Sequence, residues 1–347
     1  MTAHFGQPPV SPGLWALAWQ RLKRDRVGLF SLGVVGFYLV VVGLAMAGWI
    51  ARDWTQEVGV NYAPPVFYPL DQDETAQLAG PKPLPATPVD LYGLKDPLAG
   101  VLADIQARYP GDAAGREAPR RLTLPLGGDK WGHDVLTKVI KGSQTSLLVG
   151  LVAALLATAL GTVMGAVAGY FGRWVDDAFN WLYGVFTSIP YLLLIFAIAA
   201  VLQQKGVTTI VLILGLTGWT GVFRLIRAEY IKHKTREYVL AAGAMGASHW
   251  RRMFIHILPN TSHVILVQLS LNVVGFIKSE VILSFLGFGV PVDVVSWGSM
   301  LNEAQNELIL GKWWQLAAAG TAMAVLVTAF SMLTDALRDA LDPKLKN

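Results

Sequence analysis

VGLFSLGVVGFYLVVVGLAMAGWI, residues 27–50, carries no charged side chain over 24 positions. A helix rises ~1.5 Å per residue, so ~20 such residues cross a ~30 Å hydrocarbon core, and a run of this kind reads as a membrane span. Five more apolar runs follow at 143–171, 178–202, 207–223, 261–288 and 315–334. Together they predict an all-α, polytopic membrane protein with six transmembrane helices. The composition agrees: 53% of the 347 residues are hydrophobic and 15% charged, against about 25% charged in soluble domains. Mean hydropathy of +0.45 argues against a soluble enzyme. The absence of cysteine excludes disulfides, iron-sulfur clusters and Cys-bearing zinc sites. The net charge of +4 does not signal a nucleic-acid partner, because the basic residues cluster beside the apolar runs. Ala45 and Ala47 make an A-x-A pattern, but the 26-residue leader and overlong apolar run argue against a cleaved signal segment.

Orientation follows from Lys and Arg near the spans, because their translocation is disfavoured. Residues 224–260 hold seven (Arg224, Arg227, Lys232, Lys234, Arg236, Arg251, Arg252), whereas 289–314 hold only Lys312. This places 224–260 in the cytoplasm, with the N-terminal tail 1–26 and the C-terminal tail 335–347. Within the first tail, Ser11 and Pro12 can start a helix that puts Trp15, Trp19 and Leu22 on one face, so an interfacial helix is expected before span one. The extracytoplasmic region 51–142 contains 11 of the 18 prolines, between Pro64 and Pro125, and is expected to be irregular, with one short helix at Leu98–Arg108. The remaining segment, 143–334, is the expected five-helix core.

A chain that moves solute needs an energy source, yet no phosphate-binding loop is present. The single Gly-Lys pair, Gly311 and Lys312, has Asn306 where the first glycine would stand. His249, His256 and His263 recur every seven residues, but Pro259 interrupts that helix, and ordinary solvated or interfacial histidines are the expectation over a metal site. Gly161, Gly165 and Gly169 form a G-x-x-x-G-x-x-x-G ridge that lets two helix backbones approach closely in lipid, either within this chain or between subunits. Lys278 and Glu280 are the only Asp, Glu, Lys or Arg residues inside the apolar runs. Their roles stay open between interfacial snorkelling or pairing and a place in a pathway. Gln268, Asn272 and Ser279 lie within about 40° on a helical projection. That polar stripe either lines a path or bonds to a neighbouring helix.

The cytoplasmic loop contains REYVLAAGAMGASHWRRMFIHILPN, residues 236–260. Tyr238 to Met245 reads as a small-residue helix, Gly246 can stop it in a left-handed conformation, and Ser248 can cap a second helix ending before Pro259. Ala241, Ala242 and Ala244 leave little bulk, so a partner can approach the first helix, while Arg251 and Arg252 flank it with positive charge. A solvated linker is the alternative reading.

This segment resembles the coupling motif of binding-protein-dependent ABC importers: Glu-Ala-Ala, three residues, Gly, nine residues, an apolar position, one residue, Leu-Pro. Ala241, Ala242, Gly246, Leu258 and Pro259 match; Leu240 stands at the Glu position and His256 at the apolar one, with Glu237 one turn earlier. LPLGGDKWGHDVL (124–136) resembles H-P-L-G-T-D-x-x-G-R-D of the second permease subunit of dipeptide and oligopeptide transporters, with Leu124, Gly128 and His133 as departures. GYFGRWVDD (169–177), SEVILSFLGFGV (279–290) and SWG (296–298) add to that likeness, which covers about 124–343. The resemblance implies a type I ABC importer permease fold and import of peptide or a related solute in the inner membrane of a bacterium or archaeon. It also implies a homologous six-span permease, two cytoplasmic ATPase subunits that bind Mg-ATP, and an extracytoplasmic binding protein as partners. This chain would hold no cofactor and catalyse nothing. Glu237, Leu240, Ala241, Ala242, Gly246, Arg251, Leu258 and Pro259 would form the ATPase-coupling site; Gln268, Asn272, Ser279 and Glu280 are candidates for the translocation path. An ion-coupled secondary transporter and a membrane scaffold are the alternatives from other classes; the scarcity of ionisable residues in the spans speaks against the first.

Overall fold

The computed structural model describes residues 14–69, 100, 101, 104 and 120–341. Those residues form helices joined by turns, with four isolated β-bridges and no strand ladder among them. A short α1 (Leu14–Leu22) leads into α2 (Arg26–Met46), which Asp25 caps by accepting a hydrogen bond from the Val27 N–H. The spine of the bundle is α3 (Val135–Phe171), 37 residues and about 55 Å long. Asp134 caps it, accepting from the Leu136 N–H at 3.1 Å and the Thr137 hydroxyl at 2.6 Å. The sequence places this span at 143–171; the helix starts eight residues earlier, because Lys138 and Lys141 interrupt the apolar run without interrupting the helix.

The run at 178–202 is not one straight span. α4 (Arg173–Thr187) and α5 (Tyr191–Leu202) meet at 83° across Ser188–Pro190. Pro190 supplies no N–H and its ring clashes with the carbonyl four residues back, so the helix breaks there. Beyond it, α6 (Val207–Thr217) and α7 (Thr220–His233) form one 27-residue apolar segment, so residues 224–233, expected in the loop, are helical. α8 (Glu237–Ala244) is followed by α9 (His249–Phe285), then α10 (Trp297–Ile309) and α11 (Trp314–Leu341). Among the described residues, five helices are long and apolar enough to cross a membrane, or six if the bent α4–α5 pair counts as one crossing.

Residues 335–341, expected in a tail, continue α11 and pack on α1: Ala18 and Leu22 are buried against Ala336, Ala340 and Leu341, and Arg21 Nη1 donates to the Ala340 carbonyl at 3.3 Å. Both described chain ends therefore sit at one end of the bundle. At the other end, 51–69 and 120–134 interlock through single bridges such as Glu57 with His133 and Pro65 with Leu124. Trp314 Nε1 ties this knot to α11 by donating to the Gly128 carbonyl at 2.7 Å. Most of the expected Leu98–Arg108 helix and of the proline-rich stretch lies outside the described residues.

Small side chains line much of the buried face of α3. Ala153, Ala154, Ala157, Ala166 and Ala168 of α3 are fully buried. The Gly161, Gly165 and Gly169 ridge faces α7 of this same chain, where a Cβ would lie 2.6 Å from the Trp219 carbonyl oxygen, 2.8 Å from that of Phe223 and 2.6 Å from that of Arg227. Close packing of this kind holds helices together in lipid, where water exclusion contributes nothing.

Candidate coupling site

α8 forms because Ala and Leu favour helix, and its alanines leave the backbone accessible. Its C-terminus closes in a Schellman arrangement: the Ala247 N–H donates to the Ala242 carbonyl and the Gly246 N–H to the Gly243 carbonyl, both at 3.0 Å. Gly246 has φ +85°, a conformation that L side chains rarely adopt. No atom lies within 4 Å of the position a Cβ would take, so this glycine is required by its backbone, not by crowding. Ser248 then caps the next helix, accepting from the Arg251 N–H.

One face of α8 is fixed and the other is free. Val239 is buried beside Met253, Ile257, Ile226 and Tyr230, and Ala242 is buried as well, while Glu237, Leu240, Ala241, Ala244 and Arg251 are exposed. Leu240 is 58% and Met245 81% exposed, an unusual amount for large apolar side chains flanked by charge. Gly243 is covered by the Arg252 guanidinium, which also lies over the Tyr170 ring and bonds His249 Nδ1 at 3.0 Å.

The second helix does not end before Pro259. Residues Arg252–Ile257 form a π turn, and the helix continues through Leu258 and Pro259 to Phe285. The wider turn absorbs the missing N–H and the ring clash of Pro259 without breaking the rod. Tyr230 donates from its hydroxyl to the Met253 carbonyl inside this turn at 3.1 Å, so α8, the π turn and α7 are one packed unit. α7 is pinned in turn: Arg227 pairs with both oxygens of Asp176 on α4, and Lys234 Nζ donates to the Gly169 carbonyl of α3.

The four polar residues of α9 are not brought into one space. Gln268 lines a cavity of about 280 Å³ near the α8 end. Asn272 donates to the Thr158 hydroxyl of α3 at 3.1 Å, and Ser279 to the carbonyl of Gly275. Glu280 is fully buried and accepts from Ser146 and Ser284 hydroxyls, each at 2.7 Å, while Lys278 is exposed. His249, His256 and His263 do not converge; among the described residues no group of three side chains is placed to hold a metal.

Sequence reasoning missed a buried ionic cluster at the opposite end. Lys138 Nζ donates to Asp129 and Glu303 carboxylates at 2.7 Å each and reaches the Gln315 amide oxygen at 3.4 Å. Asp129 also accepts from the Trp131 and His133 N–H groups and lies 2.8 Å from His133 Nδ1. Burial alone would raise Asp129, but His133 and Lys138 together hold its carboxyl well below the usual range. Glu307, whose Oε1 accepts from the Lys130 N–H, is pushed up to about 7 by burial and then by the charge of Asp129. The sequence signal was Asp129 itself, in the 124–136 motif; nothing local links it to Glu303 on α10.

The model described as binding-protein-dependent transport system inner membrane component matches residues 161–347, more than half of the chain and all of the α7–α9 unit. The chain belongs to that family. A second model, the N-terminal TM domain of oligopeptide transport permease C, matches residues 13–81 of this inner membrane component. The dipeptide transport system permease protein DppC of Bacillus subtilis is 38% identical over 67% of this chain and 74% of its own length. The oligopeptide transport system permease protein OppC of the same organism is 34% identical over 64% and 72%. DppC of Lactococcus lactis is 28% identical but covers 94% of this chain and 90% of itself, so the likeness runs nearly end to end.

Proposed function

We propose that this chain is a six-span membrane subunit of an ATP-driven importer for dipeptides, oligopeptides or a related solute, in the cytoplasmic membrane of a bacterium or archaeon. The names of its relatives support the substrate class. The excess of Lys and Arg in residues 224–260 supports a cytoplasmic position for α8 and both termini. A second, homologous permease completes the pathway, an extracytoplasmic binding protein delivers the solute, and two cytoplasmic ATPase subunits bind and hydrolyse Mg-ATP. This chain hydrolyses nothing.

One observation carries the coupling role: α8 and the Met245 that follows it present Leu240, Ala241, Ala244 and Met245 outward, while Val239 packs α8 against the π turn near the start of α9. An ATPase seated on the outer face moves α8, and α8 cannot move without α9 and α7. The glycine ridge passes the displacement from α7 to α3. Two packings of these rods then correspond to inward-open and outward-open states, and nucleotide biases them by its different affinity for each.

Gly246→Trp tests this reading. The substitution forces a β-carbon onto a left-handed backbone, costing about 1–2 kcal/mol, and places an indole on the docking face. Binding-protein-stimulated ATP hydrolysis by the purified complex should be lost while membrane insertion of the chain is unchanged. Normal stimulated hydrolysis in the variant would remove the coupling role.

A further inference from the structure

The cavity beside Gln268 has no part in the coupling geometry. It opens between α7, α9 and α11, and three polar side chains face it: His263 and Gln268 of α9 and Arg338 of α11. None of the three makes a hydrogen bond or ion pair with another described residue. The rest of the wall is apolar, and two of its members, Leu225 and Leu271, are 37% and 45% exposed at the perimeter of the bundle. The volume of about 280 Å³ is headgroup-sized, far too small for a whole acyl chain.

A cationic side chain without a protein partner, at the mouth of an apolar-walled recess, matches an anion that carries an apolar tail. Basic pockets between transmembrane helices on the cytoplasmic side take anionic lipid headgroups for this reason. We propose that the cavity seats the headgroup of an anionic phospholipid of the cytoplasmic leaflet, with its phosphate on Arg338 and His263 and its acyl chains running outward past Leu225 and Leu271. The leaflet assignment rests on the orientation argued under the proposed function. Gln268, on this view, donates to the ester or glycerol oxygens and does not line the solute path. The site joins α11, the helix that carries the α1 contact, to α9, the helix that begins at the coupling bend, so its occupancy braces the moving unit against the static one.

The test uses the complex as purified, reconstituted in phosphatidylcholine bilayers with and without phosphatidylglycerol, followed by native mass spectrometry of the lipid retained on this chain. The wild-type complex should retain phosphatidylglycerol in preference to phosphatidylcholine. Arg338→Gln should reduce that preference about fivefold, the value of one basic contact near a membrane surface. Val267→Trp, which fills the cavity without touching a charge, should reduce it as well and covers the case where Arg338→Gln fails to assemble. Equal retention by wild type and both variants would overturn the proposal. So would displacement of the lipid by an added dipeptide that is itself retained, or a cross-link from Leu271→Cys to the second permease, since each gives the cavity another occupant. Co-purification of the ATPase is scored on the same samples. Absence of a lipid preference in the wild-type complex with the ATPase still bound counts against this site alone, whereas absence of the ATPase counts against the transporter reading.

Discussion

Replacing Gly161 by Ala puts one methyl group into a close contact between α3 and the start of α7. Its Cβ would stand 2.6 Å from the Trp219 carbonyl oxygen and 2.7 Å from Val222 Cβ, where carbon contacts normally settle at about 3.5–4.0 Å. These atoms belong to backbone and to a branched side chain, so neither can rotate away, and α7 must retreat by roughly 1 Å. Overpacking of this order costs about 1–3 kcal/mol, against about 1 kcal/mol that Ala recovers over Gly in helix propensity. Gly33 on α2 supplies the control: nothing lies within 4 Å of its Cβ position, so Gly33→Ala retains the propensity gain alone. Thermal unfolding in a mild detergent should therefore rank the proteins Gly33→Ala at or above wild type and Gly161→Ala below it. Gly165→Ala and Gly169→Ala should behave like Gly161→Ala. The triple variant should cost less than the sum of the three, because one retreat of α7 relieves all of them. Gly161→Ala as stable as Gly33→Ala would refute the reasoning, for it would mean that α3 and α7 do not touch along this ridge.

The ionic cluster makes two further predictions. Glu307 titrates near 7 in the folded chain and about 4.3 when unfolded, so between those values the native state holds a proton that the unfolded state has lost, and stability falls as pH rises. Asp129, held low, adds stability that is present above about pH 4 and lost only below it. Melting temperature should thus decline from pH 5 to 7.5, and Glu307→Gln should flatten that decline; an unchanged slope would show that Glu307 is not the titrating group. Lys138→Met leaves Asp129 and Glu303 without their shared cation and should cost about 3–5 kcal/mol in denaturant titrations. Combining it with Asp129→Asn should recover a substantial part, and failure to recover any would mean that Lys138 acts by packing.

The membrane class and the number of apolar runs were legible because a span must be free of charge over bilayer length. Helix ends were not, since charges tolerated at a bundle end depend on partners distant in sequence. Lys138 sits inside α3 because Asp129 and Glu303 neutralise it, and Arg227 sits inside α7 because Asp176 on α4 receives it. Pro259 reads as a stop from local rules, whereas the π turn before it keeps the rod continuous. The bend at Gly246 could be read directly, because a Schellman closure needs only local residues and one left-handed position. The glycine ridge disclosed a close helix contact but not its partner; α7 is 50–60 residues further along, and spacing on one helix says nothing about the other. Asn272 and Glu280 were visible as polar residues in an apolar span, yet only the fold distinguishes a hydroxyl on α3 from an open path as their partner.

Coupling through α8 is tested most directly by a single thiol. The chain has no cysteine, so Ala241→Cys places the only one on the exposed face of α8. In sealed membrane vesicles, the account predicts labelling by an impermeant maleimide from the cytoplasmic face alone, and a thiol-to-amine cross-link to the ATPase subunit whose yield changes when ATP is added. Labelling from the external face, or no cross-link in a complex that still hydrolyses ATP, would contradict it.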